Sequence, residues 1–413
     1  MSPPRSDYSD ICIVGTGYSG LLLALALETV FEGDISITVV GPEYSHLKDR
    51  TNPRAFAISA SSRRFLDNLG IWQRIEDTAQ PVMRIELSDS PLEAGVRPVL
   101  LTYNNILDTG LPASYIVPAA ELGRAIADVL HLRSSVSIIQ NGLVNDVSSR
   151  PGYTDVAING QQGCHAGLVV CADGPRSALR KRLGIETVGW NYDQIGIVTT
   201  VRHAQPHHGL AVQHFLPAGP FAILPLVGNQ SCITWSEQTA RAKKILTLDD
   251  DDFLNEIDLR FGGRLGPLSL AGSRKSFPLS LSVARVFVGT RLALVGDAAH
   301  VVHPIAGQGL NLAIRDIASL AECLADGARL GLDLGDHIVL DRYQKWRRFD
   351  STLSAGVFDG LNRVFTIDQP LVRSLREIGL GVIDQLPSVK ALIVSEAAGV
   401  TGQLPKLLTT MPR

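Results

Sequence analysis

Near its N-terminus the chain reads Ile11-Cys12-Ile13-Val14-Gly15-Thr16-Gly17-Tyr18-Ser19-Gly20, a short apolar run followed by three glycines in GxGxxG spacing. An apolar run that ends at glycine is typical of a strand buried on both faces of a parallel sheet. In such a loop Gly15 permits a tight turn, and Gly17 lets the backbone approach a diphosphate. Gly20 lets the following helix pack on the strand, so that free N–H groups at the helix N-terminus meet the phosphates.

The residues after this loop complete a βαβ unit. Residues 18–31 are apolar at nearly every helical position, which predicts a buried helix, and residues 35–40 predict a second strand. A GxGxxG pattern alone also occurs in ordinary turns, but between a strand and a helix it favours a dinucleotide site. We therefore predict that Tyr18 and Ser19 bind the cofactor together with the three glycines.

One element of the dinucleotide pattern is displaced. An acidic residue usually ends the second strand and binds a ribose hydroxyl, but here the strand ends Val39-Val40-Gly41. Glu43 follows two residues later. Two interpretations stay open: Glu43 reaches the ribose from the loop, or it is an ordinary surface charge.

Composition narrows the class of protein. The 413 residues are 45% hydrophobic and 19% charged, which is typical of a globular chain with more than one folding unit. The formal net charge of −3 gives no electrostatic reason to expect a nucleic acid partner. The five cysteines are scattered without CxxC or Cys/His spacing, so we expect neither a disulfide framework nor a metal site. No apolar leader and no apolar stretch of about 18 residues is present, which predicts a cytoplasmic protein, at most peripheral on the inner face of the membrane.

Changes of pattern along the chain predict an α/β fold whose first domain is discontinuous. Residues 188–288 contain short β-rich runs between Gly, Pro and Asn turns, which predicts an inserted, mainly antiparallel sheet. The buried-strand pattern returns at Leu292-Ala293-Leu294-Val295. We predict a Rossmann-like domain formed by residues 8–187 and 289–365, with some strands near 81–117 joining the inserted domain, and a helical C-terminal region over 366–413. Residues 61–75 predict an amphipathic helix.

Two further segments place short polar residues after buried strands. Asp173-Gly174 follows a strand that ends at Cys171, and Gly296-Asp297 follows Val295. The small residues around Asp297 let its carboxylate reach a ligand hydroxyl. The loop Gly307-Gln308-Gly309-Leu310-Asn311 would expose backbone N–H groups at the next helix N-terminus, where they could stabilise negative charge on a flavin ring.

In this order and spacing the motifs resemble the flavoprotein aromatic hydroxylases related to para-hydroxybenzoate hydroxylase, and more narrowly the ubiquinone-biosynthesis hydroxylase family. The narrower likeness rests on Arg54-Ala55-Phe56-Ala57-Ile58-Ser59, Gly219-Pro220-Phe221-Ala222-Ile223-Leu224-Pro225-Leu226, His303-Pro304-Ile305-Ala306-Gly307-Gln308-Gly309-Leu310-Asn311-Leu312 and Ala397-Ala398-Gly399-Val400-Thr401-Gly402. It extends over residues 10–408.

The resemblance implies a Rossmann-like FAD-binding domain with an inserted substrate domain. The first glycine loop would bind the FAD diphosphate, Gly296 and Asp297 the ribityl or diphosphate region, and Arg54 would lie beside the cofactor. Asp173 would belong to a pair that serves both FAD and the reductant, NADH or NADPH. Pro304 and the loop from Gly307 to Asn311, with Gln308, Gly309 and Leu310, would face the isoalloxazine ring, where O2 reacts.

The implied reaction is hydroxylation of the aromatic ring of a polyprenylated phenol in ubiquinone biosynthesis. NAD(P)H would reduce the flavin, O2 would form a C4a-hydroperoxyflavin, and this species would transfer a hydroxyl group to the ring. A catalytic acid or base is not identified from the sequence. For His300 and His303 a structural role is favoured over proton transfer. Gln213 replaces an acid often seen in the family, and Phe215, Phe221 and Trp235 are either pocket lining or ordinary core.

Two alternatives stay open. One is the same chemistry on a small soluble aromatic compound. The other is a catalytically idle flavin-binding subunit that scaffolds a lipid-processing complex, for which the absent acid at Gly41 is the sequence support. The ring position, the choice between NADH and NADPH and the oligomeric state are left undetermined.

A prenylated substrate implies peripheral contact with the membrane or with other subunits of a ubiquinone-biosynthesis complex. The segment from residue 371 onward contains five basic and three acidic residues. That surplus fits contact with an anionic lipid surface or with a partner, although an ordinary surface helix is the simpler interpretation.

Overall fold

The computed structural model describes residues 7–92, 97–367 and 369–409. In chain order its strands are β1 (Tyr8–Val14), β2 (Ile37–Gly41), β3 (Ala55–Ser59), β4 (Gln80–Pro81), β5 (Arg84–Asp89), β6 (Val99–Asn104), β7 (Ser114–Pro118), β8 (Val136–Gln140), β9 (Val144–Arg150), β10 (Tyr153–Ile158), β11 (Gln161–Cys171), β12 (Thr187–His203), β13 (Leu210–Leu216), β14 (Gly219–Leu226), β15 (Gln230–Gln238), β16 (Leu268–Leu270), β17 (Lys275–Ala284), β18 (Val288–Gly289), β19 (Leu292–Leu294) and β20 (His300–Val301). Its helices are α1 (Tyr18–Val30), α2 (Ala60–Asn68), α3 (Ala119–Leu130), α4 (Ala178–Arg182), α5 (Thr239–Leu246), α6 (Asp250–Phe261), α7 (Gly309–Arg329), α8 (His337–Thr366), α9 (Pro370–Asp384) and α10 (Pro387–Ala397).

The first sheet is the parallel sheet that the N-terminal pattern predicts. Strand β1 pairs in parallel with β2 on one side and with β11 on the other, and β8 and β19 extend the sheet in parallel. Helix α1 is buried from Gly20 to Glu28. It packs against α7, so the two helices that follow β1 and β19 share one core. The predicted α/β class with a Rossmann-like domain is confirmed.

Helix α2 is shorter than residues 61–75 predict. It ends at Asn68, and Gly70 has a φ of +72°, a left-handed conformation that glycine adopts at helix ends. Residues Trp72–Arg74 and Glu76–Thr78 then form separate 3-10 turns. The apolar spacing continued past the helix because Leu69, Ile71 and Ile75 are core residues of the turns themselves.

The second sheet is mainly antiparallel and runs β20-β17-β12-β15-β14-β13-β5-β6. Strands β5 and β6, from the region near 81–117, join it through the parallel pairing of β13 with β5. Its outer face packs under α5 and α6. Its inner face meets β3 and β7, because Ala55 and Ala57 pack against Val198, Ala211 and Cys232.

Helix α8 links the two sheets. Near its start the Tyr343 hydroxyl donates to the Leu294 carbonyl at the end of β19, at 2.7 Å. At its end Phe365 stacks on Phe215 of β13, with 3.7 Å between ring centroids. A helix of this length is rigid on the scale of the domain, so α8 sets the separation between the first sheet and the inner face of the second.

A buried ion pair joins α8 to α7 beneath the end of β19. Arg347 Nε donates to Asp316 Oδ1 at 2.8 Å, and both side chains are almost wholly excluded from solvent. Arg347 also contacts Asp350 and Ser351. Burial by itself lowers the pKa of Arg347, but Asp316 more than offsets this effect and raises it above the ordinary value. The pair is therefore ionised on both sides.

Replacing Arg347 with Leu should lower the free energy of unfolding by about 3–5 kcal/mol, because the substitution leaves the buried Asp316 carboxylate without the guanidinium that pairs with it. Urea denaturation of the purified protein measures the effect. Arg348→Leu is the matched control, since Arg348 is the next residue and is exposed, and it should change stability by no more than about 0.5 kcal/mol. Equal effects of the two variants would contradict the assignment.

Candidate active site

Of the three glycines in the loop between β1 and α1, two have no room for a side chain and the third borders open space. A Cβ on Gly15, whose φ is +123°, would lie 2.3 Å from the Ala172 oxygen, and a Cβ on Gly20 would lie 1.9 Å from the Gly15 oxygen. Neither distance is sterically allowed, so both positions require glycine. At Gly17 a Cβ would meet nothing within 4 Å. Gly17 is also the N-cap of α1, with no side-chain cap, so a helix N-terminus faces open space where an anion can bind.

The side chains of Tyr18 and Ser19 brace this loop. The Tyr18 hydroxyl donates to the Ala119 oxygen at 2.9 Å, and its ring meets Phe56 edge-on at 4.9 Å. Ser19 packs beneath Gly296, where an added Cβ would lie 2.8 Å from Ser19 Oγ. Contacts of Tyr18 and Ser19 with a cofactor stay predictions, and the natural donors are their backbone N–H groups.

The end of β2 explains the displaced acid. A Cβ on Gly41 would lie 2.7 Å from Thr16 Oγ1 and 2.8 Å from Thr16 N, while Thr16 Oγ1 donates to the Pro42 oxygen at 2.6 Å. An acidic side chain at Gly41 therefore has no room. Glu43 is exposed in the loop that follows, and its ribose contact stays a prediction.

Asp173 lies against the glycine loop, because its backbone N is 2.9 Å from the position of a Gly15 Cβ. Its Oδ1 is buried, and no hydrogen-bond partner for that atom is found in the described part of the chain. A buried carboxylate oxygen without a donor is costly, so it indicates a ligand group. Arg180 joins this segment to the next one, since it donates to the Pro175 oxygen at 3.2 Å and to the Ala298 oxygen at 2.8 Å.

The Gly296-Asp297 turn is held by Asp316. Gly296 has a φ of +58°, and its N–H donates to Asp316 Oδ2 at 3.0 Å. His300 Nε2 bonds the same oxygen at 2.6 Å. His300 therefore anchors the turn to α7, the kind of structural role that the sequence favours. Burial alone would raise the pKa of Asp316, but His300 and Arg347 outweigh it and hold the pKa below its usual value.

Asp316 and Arg347 are the residues that sequence reasoning missed. A signal existed for Asp316, because it stands in α7 beside Ile317 and between Leu312 and Leu320, all of which are core residues. An acid in an apolar helical stripe is rarely left unpaired. Its partner could not be named from the sequence, since Arg347 belongs to the next helix.

Asp297 and Arg54 converge on the cleft. Desolvation by the surrounding protein raises the pKa of Asp297, and the charges of His300 and Arg54 oppose this rise. The Arg54 guanidinium lies 4.8 Å from the centre of the Phe56 ring, and its side chain is exposed. Both groups are thus free to meet a ligand that carries phosphate or hydroxyl groups.

The loop from Pro304 to Asn311 runs along β3. Gly307, with a φ of +64°, approaches Ala57 so closely that an added Cβ would lie 3.0 Å from the Ala57 Cβ, whereas Gly309 borders open space. Asn311 is buried, and its amide donates to the Ala57 oxygen at 2.9 Å and accepts from Ser59 N at 3.1 Å. A contact between Asn311 and a cofactor would therefore come from its backbone, and it stays a prediction.

Leu310 and Gln308, in the same loop, also contact other residues of the protein. Leu310 is buried in the core of the first domain, and Gln308 Oε1 accepts from the Asn311 amide at 3.2 Å. Cofactor contacts of Pro304, Gly307, Gln308, Gly309 and Leu310 stay predictions.

On the side of the Gly307 loop, the inner face of the second sheet carries partly exposed side chains, from which we infer a space that we call the chamber. Ala57 contacts both that loop and the sheet. In the sheet Gln213, Ala222 and Thr234 form one cross-strand row, and each is partly exposed. The partial exposure of these residues, in a sheet whose outer face is solidly packed, indicates free space between the sheet and the loop.

The structure shows on which face of the second sheet each of the three aromatic candidates lies. Phe221 and Trp235 lie on the outer face, under α5 and α6, and are core residues. Phe215 lies on the inner face, where it stacks on Phe365. Alternation along a strand decides these faces, and the sequence alone did not say which face meets the cofactor.

His303 lies next to Pro304 and is fully buried. Neither of its ring nitrogens bonds a group in the described ranges, and the Tyr192 ring meets it edge-on at 5.2 Å. Burial lowers the pKa of His303 to about 4. The imidazole is therefore neutral near pH 7, so it is not available as a cationic proton donor.

These residues fit FAD. The glycine loop offers an open helix N-terminus for a diphosphate, Asp173 has an unsatisfied buried oxygen beside it, and Asp297 with Arg54 opens to the same cleft. In residues 7–92, 97–367 and 369–409 no group of three or more His, Cys, Asp or Glu residues is placed to hold a metal ion.

Two alanine substitutions separate folding from cofactor binding. Gly20→Ala should destabilise the protein by several kcal/mol, because its Cβ would collide with backbone that cannot move freely. Gly17→Ala should leave the stability of the cofactor-free protein within about 1 kcal/mol and still weaken FAD binding at least tenfold, because its Cβ would enter the space for the diphosphate. Thermal denaturation and FAD fluorescence titration measure the two effects. Unchanged FAD affinity in Gly17→Ala would place the diphosphate elsewhere.

Comparison with known proteins agrees with this geometry. The sequence profile of the FAD binding domain family matches residues 8–349. Ubiquinone hydroxylase UbiL of Rhodospirillum rubrum is 36% identical over 98% of this chain and 93% of its own. The 3-demethoxyubiquinol 3-hydroxylase of Escherichia coli is 30% identical over 95% of this chain and 99% of its own.

Solved structures share the fold at lower identity. The p-nitrophenol 4-monooxygenase PnpA of Pseudomonas putida superposes with a TM-score of 0.76 at 20% identity, over 95% of this chain and 98% of its own. The chain belongs to the FAD binding domain family, and its relatives there include the ubiquinone-biosynthesis hydroxylases.

Proposed function

We propose that this FAD-dependent monooxygenase hydroxylates the aromatic ring of a polyprenylated phenol in ubiquinone biosynthesis, with NADH or NADPH and O2 as co-substrates. The observation that carries the proposal is the row of partly exposed residues Gln213, Ala222 and Thr234 on the sheet face toward the Gly307 loop, which indicates the chamber. Relatives named as a ubiquinone hydroxylase and as a 3-demethoxyubiquinol 3-hydroxylase align over nearly the whole chain, including the residues on both sides of this chamber. When bound, FAD supplies the oxygen chemistry, which no amino-acid side chain provides.

The protein's own contribution is to orient the reactants and exclude water. The uncapped N-termini of α1 and α7, at Gly17 and Gly309, offer N–H groups to negative charge on the diphosphate and on the ring system. The row Gln213, Ala222 and Thr234 places one small apolar and two polar side chains opposite the loop, so a phenol would find both room and hydrogen-bonding groups there. Closure by α8 through Phe215 and Phe365 removes solvent from one side of the chamber.

The steric exclusion at Gly41 removes the sequence support for an idle scaffold subunit. The strand-end acid is absent because Thr16 occupies its space, so its absence says nothing about catalysis. We also propose that the protein is cytoplasmic and contacts the inner face of the membrane, or other subunits of a ubiquinone-biosynthesis complex, since a polyprenylated phenol resides in lipid.

Turnover tests the substrate. FAD-loaded protein should oxidise NADH or NADPH faster in the presence of a polyprenylated phenol, and mass spectrometry should find a product with one added oxygen atom. Simple hydroxybenzoates should give no comparable stimulation, because they cannot use the binding energy of the tail. Product from the simple compounds alone would instead establish a hydroxylase for small soluble aromatics.

Filling the chamber should slow turnover without loss of cofactor. Ala222→Phe places a ring in the space between the sheet and the loop, and kcat/KM for the prenylated phenol should fall roughly tenfold or more. FAD absorbance should be retained. The matched control is Ala240→Phe, at an exposed position of α5 beyond the outer face, which should leave kcat/KM unchanged. Retained activity in Ala222→Phe would show that the substrate binds elsewhere.

A further inference from the structure

Helix α9 differs from an ordinary surface helix, because its apolar face points toward solvent. Leu371, Leu375, Ile378 and Val382 recur at spacings of four, three and four residues, so they share one face. Their exposed fractions are 73%, 61%, 64% and 53%. A helix that faces water normally buries such a face, and here it points away from the protein. We call these four residues the α9 outer face.

Two charged residues of α9 contact the second sheet instead. Arg376 is buried, and its Nε donates to Asp89 Oδ2 of β5 at 2.6 Å. At the C-terminal end of the helix Asp384 Oδ1 accepts from the backbone N of Thr102 in β6 at 3.0 Å and from Lys390 Nζ at 2.7 Å. Polar anchors at the middle and at the C-terminal end thus hold the helix on the second sheet with its apolar side outward.

The neighbouring helix shows the same exposure. In the C-terminal half of α8, Leu353, Val357, Leu361 and Val364 recur at spacings of four, four and three residues and are 57%, 50%, 38% and 43% exposed. Ile367, between α8 and α9, is 40% exposed. Clustered exposed apolar side chains of this kind mark an interaction surface.

Area argues against a second copy of the chain as the occupant. A helix rises about 1.5 Å per residue and is about 10 Å wide, so the α9 outer face covers roughly 180 Å². The stripe on α8 adds roughly 180 Å². A specific protein interface needs about 800 Å² on each partner, about twice what the two stripes provide.

The composition of α9 and α10 favours a lipid surface as the occupant of this face. In the described part of the chain no single helix is long and apolar enough to cross a membrane, but residues 371–384 and 387–397 together meet the length and hydropathy of a span, with a bend of 96° between them. Because Arg376 and Asp384 hold α9 against the protein at its middle and at its C-terminal end, its outer side is the free one. Such a helix can lie in the plane of a bilayer surface rather than cross it.

We propose that the α9 outer face docks on a lipid bilayer surface. Strands β5 and β6, which hold α9, belong to the sheet whose inner face lines the chamber. Docking therefore places that edge of the chamber at the bilayer, and the idea that the prenyl tail enters from there rests on the proposed function.

Vesicle binding tests the proposal. Full-length, FAD-loaded protein is sedimented with vesicles of equimolar phosphatidylethanolamine and phosphatidylglycerol. The double variant Leu375→Ser with Ile378→Ser should bind at least roughly tenfold more weakly than the natural protein, because two apolar side chains no longer enter the bilayer. The matched control is Leu132→Ser with Leu330→Ser, two leucines that are 71% and 79% exposed on other elements, and its binding should be unchanged.

Two results would overturn the proposal. One is equal vesicle binding by the natural protein and the α9 double variant. The other is absence of vesicle binding together with an α9-dependent oligomer in sedimentation velocity, which would make the face a protein interface. Sedimentation with vesicles needs no turnover, so failure of the substrate assay and failure of docking are read separately.

Discussion

The buried carboxylate of Asp316 is the interaction on which the cofactor-facing part of the molecule depends. It binds the N–H of Gly296 and the ring of His300, both in the turn after β19, and the guanidinium of Arg347 in α8. A carboxylate without solvent is stable only with its donors in place. Because Gly296 packs on Ser19 of the glycine loop, Asp316 also helps to hold that loop, the first predicted cofactor-binding motif, in place.

A second constraint is the length of α8. The helix carries Arg347 near its start, where it meets Asp316, and Phe365 at its end, where it meets Phe215 of the second sheet. Fixed at both ends, α8 sets how far the inner face of that sheet stands from the loop that contains Gly307. The width of the chamber is thus a consequence of contacts made far from the reacting ring.

Much of the candidate site could be predicted because its motifs are properties of the backbone. The spacing of Gly15, Gly17 and Gly20 follows from steric limits on one short loop, and the limits in the structure are the expected ones. The displaced acid could not be explained in advance, because the side chain that obstructs Gly41 is Thr16, in the loop after the neighbouring strand β1. Nor could the role of Asn311 be foreseen, since the same amide could face either a cofactor or β3.

By itself the sequence determined the βαβ unit, the order of the cofactor motifs and the family, because these depend on glycine spacing and on apolar periodicity within a few residues. Only the tertiary structure decided which face of the second sheet packs on β3 beside the Gly307 loop, that Asp316 pairs with Arg347, and that α9 presents its apolar side outward. Those features depend on which strands and helices become neighbours after long chain crossings. Periodicity shows that a helix has two sides, but the anchors at Arg376 and Asp384 decide which side faces the protein.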